Sequence, residues 1–261
     1  LVVTAAATNK AYDRDNLAAV TLSNNAISGD AVTLAYVGAS FSDANAANGK
    51  TVTVSGLSLL GAAAGNYTLN GVNAVTALAD ITKIGLTIAA TNDTKVYGIT
   101  TTASALTYAA SGASAAVSTT DPSRFAVAGL LAGDAVAGVT LTSQGGVVGA
   151  TVLGGPYAIA PNAATGTGIS NYVITYVNGA MTVTPALVSV SAVAQSKTYD
   201  GATNAVVTLT PTGIVAADLL NVTVGYAAAS FASQNVAYQV NTSTVTTQAV
   251  AVTGINLTGL A

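Results

Sequence analysis

The pentapeptide Lys-Thr-Tyr-Asp-Gly at residues 197–201 has two near-copies in the same chain, Lys-Ala-Tyr-Asp-Arg at residues 10–14 and Lys-Val-Tyr-Gly-Ile at residues 95–99. Each copy of this Lys-x-Tyr motif follows an apolar run with the character of a β-strand. Because a pattern that recurs along a chain is typical of tandem modules, the three copies predict three modules. Their predicted bounds are residues 1–84, 85–186 and 187–261.

The first and third modules also share two later stretches. Tyr-Val-Gly-Ala-Ser-Phe at residues 36–41 reappears as Tyr-Ala-Ala-Ala-Ser-Phe at 226–231, and residues 54–59 reappear as 252–257. On this alignment the third module lacks a counterpart of residues 64–84, and losing those strands would expose an unpaired sheet edge. We therefore expect either that the chain continues or that a neighbouring chain supplies the missing strands.

Most of the chain shows the alternation of apolar and polar residues that is typical of half-buried strands, for example at residues 32–36 and 51–55. Asn178-Gly179 lies between the alternating residues 171–176 and 180–184, which predicts a β-hairpin. One weak helical signal covers residues 130–136 of the second module, where two glycines disfavour a helix.

These patterns predict a mainly all-β fold of three tandem modules, with a short helix in the second. Alternating strands suit a β-sandwich and a β-grasp-like sheet equally, so both architectures remain open, with the helical signal favouring the grasp-like form in the second module. The connections at residues 82–84 and 184–186 are short and are not Gly/Ser linkers. We therefore expect the modules to form an extended rod.

The composition excludes several classes of function. Seven basic residues face ten acidic ones, so there is no basic patch for nucleic acid. The absence of His and Cys removes disulfides, the commonest metal ligand and the commonest general base. No Gly-x-Ser-x-Gly, Ser-x-x-Lys or phosphate-loop pattern occurs, and the apolar runs are far shorter than the ~18 residues of a membrane span. We therefore predict no enzyme, no catalytic, metal or cofactor-binding residues, and no membrane span.

Family resemblance adds to this interpretation. The first and third modules resemble the YDG repeats of large bacterial surface proteins through the Lys-x-Tyr-Asp-Gly motif, Ala-Ser-Phe, Val-Thr-Val-Ser-Gly-Leu at residues 52–57 and Ala-Gly-Asn-Tyr-Thr-Leu at residues 64–69. The second resembles the MBG domain of YGX type through Lys-Val-Tyr-Gly at residues 95–98 and Gly-Pro-Tyr-Ala-Ile at residues 155–159.

Such repeats occur as stalk or spacer modules in secreted, filamentous-haemagglutinin-like adhesins. The resemblance therefore implies an extracellular location and a structural role in cell adhesion or biofilm formation, with neighbouring modules of the same chain as partners. Two alternatives stay open: a module that binds a glycan or another matrix polymer, and a subunit that self-assembles by strand addition.

The Lys-x-Tyr motif itself has two interpretations. Lys197, Tyr199 and Asp200 could bind a sugar, or the Tyr ring could be buried at the first turn of its module while Asp-Gly forms that turn. We favour the structural interpretation, because only Lys and Tyr occur in all three copies. Arg14 replaces the glycine of the motif, which argues against a strict requirement for positive φ there.

Two further chemistries are weaker hypotheses. A cluster of oxygen-bearing side chains could ligate calcium, but the other motifs do not repeat it: Asp13, Asp15 and Asn16. Three lysines recur at one position and could form isopeptide bonds with Asn: Lys10, Lys95 and Lys197. That reaction needs a buried carboxylic acid, and the chain has no Glu. We therefore predict no metal and no isopeptide bond.

Overall fold

The computed structural model describes residues 1–98, 109–111, 114–119, 123–239, 244–245 and 247–259. Their regular structure is β-strand apart from four single-turn 3-10 helices, which confirms the mainly all-β prediction. No helix in this part of the chain is long and apolar enough to cross a membrane. The chain divides into two compact units, residues 1–92, 117–142 and 159–179 in the first, and residues 93–116, 143–158 and 180–261 in the second.

The first module lies wholly in the first unit and has eight strands: β1 (Val3–Ala7), β2 (Lys10–Ala11), β3 (Val20–Asn24), β4 (Thr33–Ala35), β5 (Gly38–Phe41), β6 (Ala47–Ser55), β7 (Ser58–Leu60) and β8 (Ala74–Thr82). A four-stranded sheet has the order β2-β8-β6-β5, and the pairs β1-β3 and β4-β7 complete the module. A 3-10 turn at Ala64–Asn66 precedes β8.

Strand β6 organises this module because it alternates as the sequence indicates. Val52 and Val54 point inward and are fully buried, while Thr51 and Thr53, which alternate with them, are exposed. One core cluster of the module consists of Ala39, Val54 and Leu57, against which partly buried residues of β1, β3 and β8 pack. Burial of one face per strand, worth about 25 cal/mol per Å² of apolar surface, fixes the register.

The second module has nine strands in its described residues: β9 (Ile84–Ala90), β10 (Asp93–Val96), β11 (Ala109–Ser111), β12 (Ser114–Thr119), β13 (Phe125–Ala128), β14 (Ala135–Ser143), β15 (Tyr157–Thr167), β16 (Tyr172–Val177) and β17 (Gly179–Thr184). In the first unit β9 pairs with β13 and β16, and β14 pairs with β15. In the second unit β10 pairs in parallel with β17. Further 3-10 turns lie at Gln144–Gly146 and Ile169–Asn171.

Two local predictions for this module are wrong. Residues 130–136 form no helix; an irregular turn leads into β14 instead, as the two glycines would allow. The hairpin across Asn178-Gly179 does not form, because β16 pairs in parallel with β9, with Tyr172 opposite Ile84, and β17 pairs with β10. Pairing with strands distant in sequence therefore overrides the local turn signal.

The third module lies in the second unit and has eight strands in its described residues: β18 (Ser189–Ala194), β19 (Val207–Thr212), β20 (Val222–Gly225), β21 (Ala228–Phe231), β22 (Tyr238–Gln239), β23 (Thr244–Val245), β24 (Val250–Thr253) and β25 (Asn256–Gly259). They form the pairs β18-β19, β20-β25, β21-β24 and β22-β23. Among the described residues β24 is paired only with β21, whereas its counterpart β6 is paired on both sides. Strand addition at this edge stays a prediction.

Candidate functional site

In the described residues one turn of each module carries the same backbone hydrogen bond, and in the third module this turn is part of a 3-10 helix at Ala216–Asp218. In each, the backbone N–H of an aspartate donates to the carbonyl three residues earlier: Asp30 to Ile27 (3.1 Å), Asp134 to Leu131 (3.1 Å) and Asp218 to Val215 (2.8 Å). We call residues 27–30, 131–134 and 215–218 the acceptor turns. Each turn presents a carboxylate, which can accept about four hydrogen bonds.

A tyrosine of the same module binds the acceptor turn in the first and second modules. The Tyr172 hydroxyl donates to Asp134 Oδ2 (2.7 Å) and accepts from the N–H of Leu131 (3.0 Å). Tyr67 makes the same two contacts, with Asp30 and with the N–H of Ile27. Each hydroxyl therefore closes its turn into a small ring of hydrogen bonds.

The second acceptor turn also binds the Lys-x-Tyr motif of the first module. The Tyr12 hydroxyl donates to Asp134 Oδ2 at 3.0 Å, and its ring packs edge-on against the Tyr172 ring, with centroids 5.7 Å apart. Tyr12 is only 6 % exposed, and the Asp134 side chain only 3 %. Two tyrosines from consecutive modules thus share one buried carboxylate.

Arg14 completes this cluster and corrects an expectation about the motif. Its Nε lies 3.2 Å from Asp134 Oδ1, and its guanidinium donates to the carbonyl of Ala132. Its φ is 70°, so the position does adopt a left-handed conformation although it is not glycine. Gly201 has φ 76° at the same place in the third motif, so a positive φ belongs to this turn.

An asparagine adds a second contact at the same junction. Asn171, which precedes Tyr172, is 2 % exposed; its Oδ1 accepts from the N–H of Ala46 (2.9 Å) and its Nδ2 donates to Asn45 Oδ1 (3.3 Å). A buried amide with both ends bonded costs little in desolvation and specifies orientation.

Burial and the shared carboxylate change the acidity of the two tyrosines. Burial raises the pKa of Tyr12 and of Tyr172, and hydrogen bonding to Asp134 raises the pKa of both further. Both effects disfavour the charged form, because a phenolate at this place would be poorly solvated and would be repelled by the Asp134 carboxylate.

The second and third modules meet through the same kind of contact, within the second unit. The Tyr97 hydroxyl donates to Asp218 Oδ1 (3.2 Å), and this hydrogen bond raises the pKa of Tyr97. Gly98, at φ 73°, packs so closely on the turn that a Cβ there would lie 2.2 Å from Val215 Cγ2. The contact thus recurs with different neighbouring residues.

The backbone explains why the motif tyrosine reaches the next module. In the first two modules, the motif pairs in parallel with the last strand of its own module, Lys10 lying opposite Ile81 and Lys95 opposite Val183. The tyrosine N–H then donates to the final residue of that strand, Tyr12 to Thr82 (2.9 Å) and Tyr97 to Thr184 (2.8 Å). Each tyrosine therefore emerges where the following module begins.

The third motif is differently placed. Tyr199 is 61 % exposed, so the expected burial of the motif ring holds for Tyr12 and is wrong for Tyr199. Lys197 binds Asp200 (2.8 Å) and Asn204 (3.0 Å) and lies over the Phe231 ring. Lys197 and Tyr199 line a groove of about 330 Å³.

The calcium and isopeptide candidates have structural contacts. Asp13 and Asp15 both pair with Lys10, at 2.8 and 2.9 Å, and Asn16 donates to the carbonyl of Phe41. The described residues hold no cluster of three or more Asp, Glu, His or Cys suited to a metal.

Lys95, the isopeptide candidate of the second module, is buried and donates to the carbonyl of Val147. Burial lowers the pKa of this lysine.

Reasoning from the sequence missed the acceptor side of the site. The residues that it missed are Asp134, Asp218 and Tyr172. One signal was present: Gly-Leu-Leu-Ala-Gly-Asp at residues 129–134 recurs as Gly-Ile-Val-Ala-Ala-Asp at 213–218.

These contacts define a class of protein: tandem β-modules in which the acceptor turns of the second and third modules bind the motif of the module before them. Comparison with known families agrees with the resemblance in the sequence. Residues 1–77 match the family model of the YDG domain, and residues 86–182 match that of the MBG domain of YGX type. The chain therefore contains a YDG domain followed by an MBG domain of YGX type. No curated protein and no solved structure gives a significant match.

Proposed function

We propose that this chain is part of the stalk of a secreted bacterial surface adhesin, where its modules serve as non-catalytic spacers. The observation that carries the proposal is the recurrence of one contact, Tyr12 with Asp134 and Tyr97 with Asp218, between consecutive modules. A spacer must hold each module in a set orientation to its neighbour, and a repeated directional hydrogen bond does this. The YDG and MBG domains are consistent with adhesin-like repeats.

In this proposal the chain works outside the cell, in adhesion or biofilm formation, by keeping an adhesive region away from the surface. The polar contacts suit that role, because each links residues of adjoining modules. The low charge, 7 % of residues, leaves little electrostatic self-repulsion that salt or pH would change.

Cell-surface display tests the spacer function. The chain is placed between a membrane anchor and a binding tip of known ligand, and adhesion of the cells to that ligand is measured under flow. We expect more adhesion than with a flexible Gly/Ser linker of the same 261 residues, and none when the tip is removed. Strong adhesion by the tip-less segment would contradict the proposal.

A second candidate, glycan binding, is favoured by the groove in the third module. Its lining combines aromatic rings with cationic and amide groups: Lys197, Tyr199, Phe231, Asn235 and Gln248. Rings of this kind stack on sugars while amides bond hydroxyls. Binding on a glycan array that is lost in Tyr199→Ala and kept in Tyr36→Ala would favour this function over a passive spacer.

A further inference from the structure

The acceptor turns of the first and second modules have the same internal geometry but different exposure. Asp30 and Asn66 are exposed, whereas the side chain of Asp134 and the whole of Asn171 are buried. The intramodular tyrosine makes the same hydrogen bonds in both turns. The residues that cover the second turn belong to the first module: Tyr12, Arg14 and Asn45. The first turn is therefore preformed.

The Lys-x-Tyr motif of the third module is preformed in the same way. The N–H of Ala202 donates to Asp200 at 3.0 Å, as the N–H of Asp15 donates to Asp13 at 3.0 Å. The lysine lies over a phenylalanine ring in both, at 5.8 and 5.9 Å. The turn after Tyr199 thus keeps the hydrogen bond and the lysine–ring contact of the docked turn after Tyr12, while the Tyr199 ring is exposed.

We propose that these two surfaces are docking sites for further modules of the same kind. Asp30 and Asn66 accept the Lys-x-Tyr motif of a module that precedes the first, and Tyr199 donates to the acceptor turn of a module that follows the third. The partner is thus recognised by a tyrosine hydroxyl on one side and a turn carboxylate on the other. This inference rests on the proposed function only in assuming longer arrays of modules.

The junction at Asp134 indicates that the Asp30 carboxylate can accept a hydrogen bond from a second tyrosine. Asp134 accepts from Tyr12, Tyr172 and Arg14 together, and a carboxylate offers about four acceptor positions. Tyr67 therefore does not block the approach of a second tyrosine. Because the turn and the motif are both held by contacts within their own modules, little conformational entropy is lost on docking.

A tandem fusion of two full chains tests the proposal. A Gly/Ser linker of about 30 residues spans about 30 Å and keeps the second copy at a high local concentration. Since the chain has no Cys, two can be introduced cleanly: Thr198→Cys in the first copy and Ser28→Cys in the second. A short bis-maleimide then reports the approach of the two surfaces. The matched control exchanges the two substitutions between the copies, so that each cysteine lies in the module that is farther from the linker in sequence.

We expect cross-linking about tenfold faster in the docking arrangement than in the exchanged control, in line with a hydrogen bond to a carboxylate. Tyr199→Phe in the first copy should remove this difference, whereas Tyr199→Phe in the second copy should not. Equal rates in the two arrangements, or no effect of Tyr199→Phe in the first copy, would overturn the proposal. Each fusion should melt at the same temperature as the single chain, which verifies that it is folded. The display assay of the spacer function does not depend on the cross-linking result, so the two proposals can fail separately.

Discussion

Arg14 shows at the scale of one residue how this junction holds a strained conformation. A left-handed backbone costs a non-glycine residue about 1–2 kcal/mol. Arg14 adopts it at φ 70° because its guanidinium then reaches Asp134 and the carbonyl of Ala132. The side chain offsets what its backbone costs.

Replacing Arg14 separates these two effects. Arg14→Ala should lower the free energy of unfolding by about 1–2 kcal/mol, because it keeps the strain and leaves Asp134 without its cation. Arg14→Gly loses the same ion pair but relieves the strain, so we expect it to be less destabilising by about 1 kcal/mol. Urea unfolding measures both. Equal loss in the two variants would show that the left-handed conformation is not strained.

The acidity of the shared tyrosines predicts a loss of stability in alkali. The folded-state pKa values of Tyr12 and Tyr172 are raised above the ordinary value of 10.0. The folded state therefore holds their protons more tightly, so this contribution is complete below about pH 10 and is lost as pH rises through the folded pKa values.

The double variant Tyr12→Phe/Tyr172→Phe isolates that effect. We expect its melting temperature to fall less steeply above pH 10 than that of the unmodified chain, with Tyr36→Phe, whose side chain is exposed, as the control. Other groups, Lys95 among them, titrate in both proteins and cancel in the difference. Parallel curves would contradict the assignment of the raised pKa values to this cluster.

Among the elements, the short parallel pairs β2-β8 and β10-β17 place the contact. Each directs the motif tyrosine past the last strand of its own module. The acceptor turn of the second module lies between β13 and β14, so the junction joins a strand end to a turn. Such a junction requires the backbone of the motif to approach the acceptor turn closely.

Gly98 is the position at which this close approach can be tested. Gly98→Ala should destabilise the second junction by at least about 1 kcal/mol. The new Cβ would overlap Val215, and the backbone φ of 73° at this position disfavours alanine. Adding Val215→Ala should restore part of the loss by making room. A double-mutant cycle measures the coupling. Strict additivity would show that the two residues do not press on each other.

On the scale of the whole molecule, the composition predicts insensitivity to pH near neutrality. The chain has no His and no Cys, and lysine partners lower the pKa of Asp15, Asp43 and Asp200 below 3.8. No ordinary pKa of the ionisable groups present falls between about pH 5 and pH 7.

The melting temperature should therefore be constant across that interval, as calorimetry can measure. A slope in the unmodified chain would contradict this prediction, because it would require a group whose pKa is shifted into that interval.

The sequence predicted the class of fold well and the pairing of strands poorly. The alternation around Val52 and Val54 depends only on which side of a strand faces the core, so a few consecutive residues are enough to predict it. The Asn178-Gly179 hairpin failed because β16 and β17 find partners about 90 residues away, in β9 and β10. The sequence identified the Lys-x-Tyr motif, which is the donor half of the candidate site, but not the acceptor turns.

The sequence by itself determined the β-rich composition, the repeat of the motif and its resemblance to YDG and MBG modules. The predicted rod shape and the YDG type of residues 187–261 remain predictions from that repeat. Only the tertiary structure decided what the motif tyrosine does, because its acceptor lies 122 residues away for Tyr12 and 121 for Tyr97. A hydrogen bond across such a separation depends on how two modules pack, which no local pattern records.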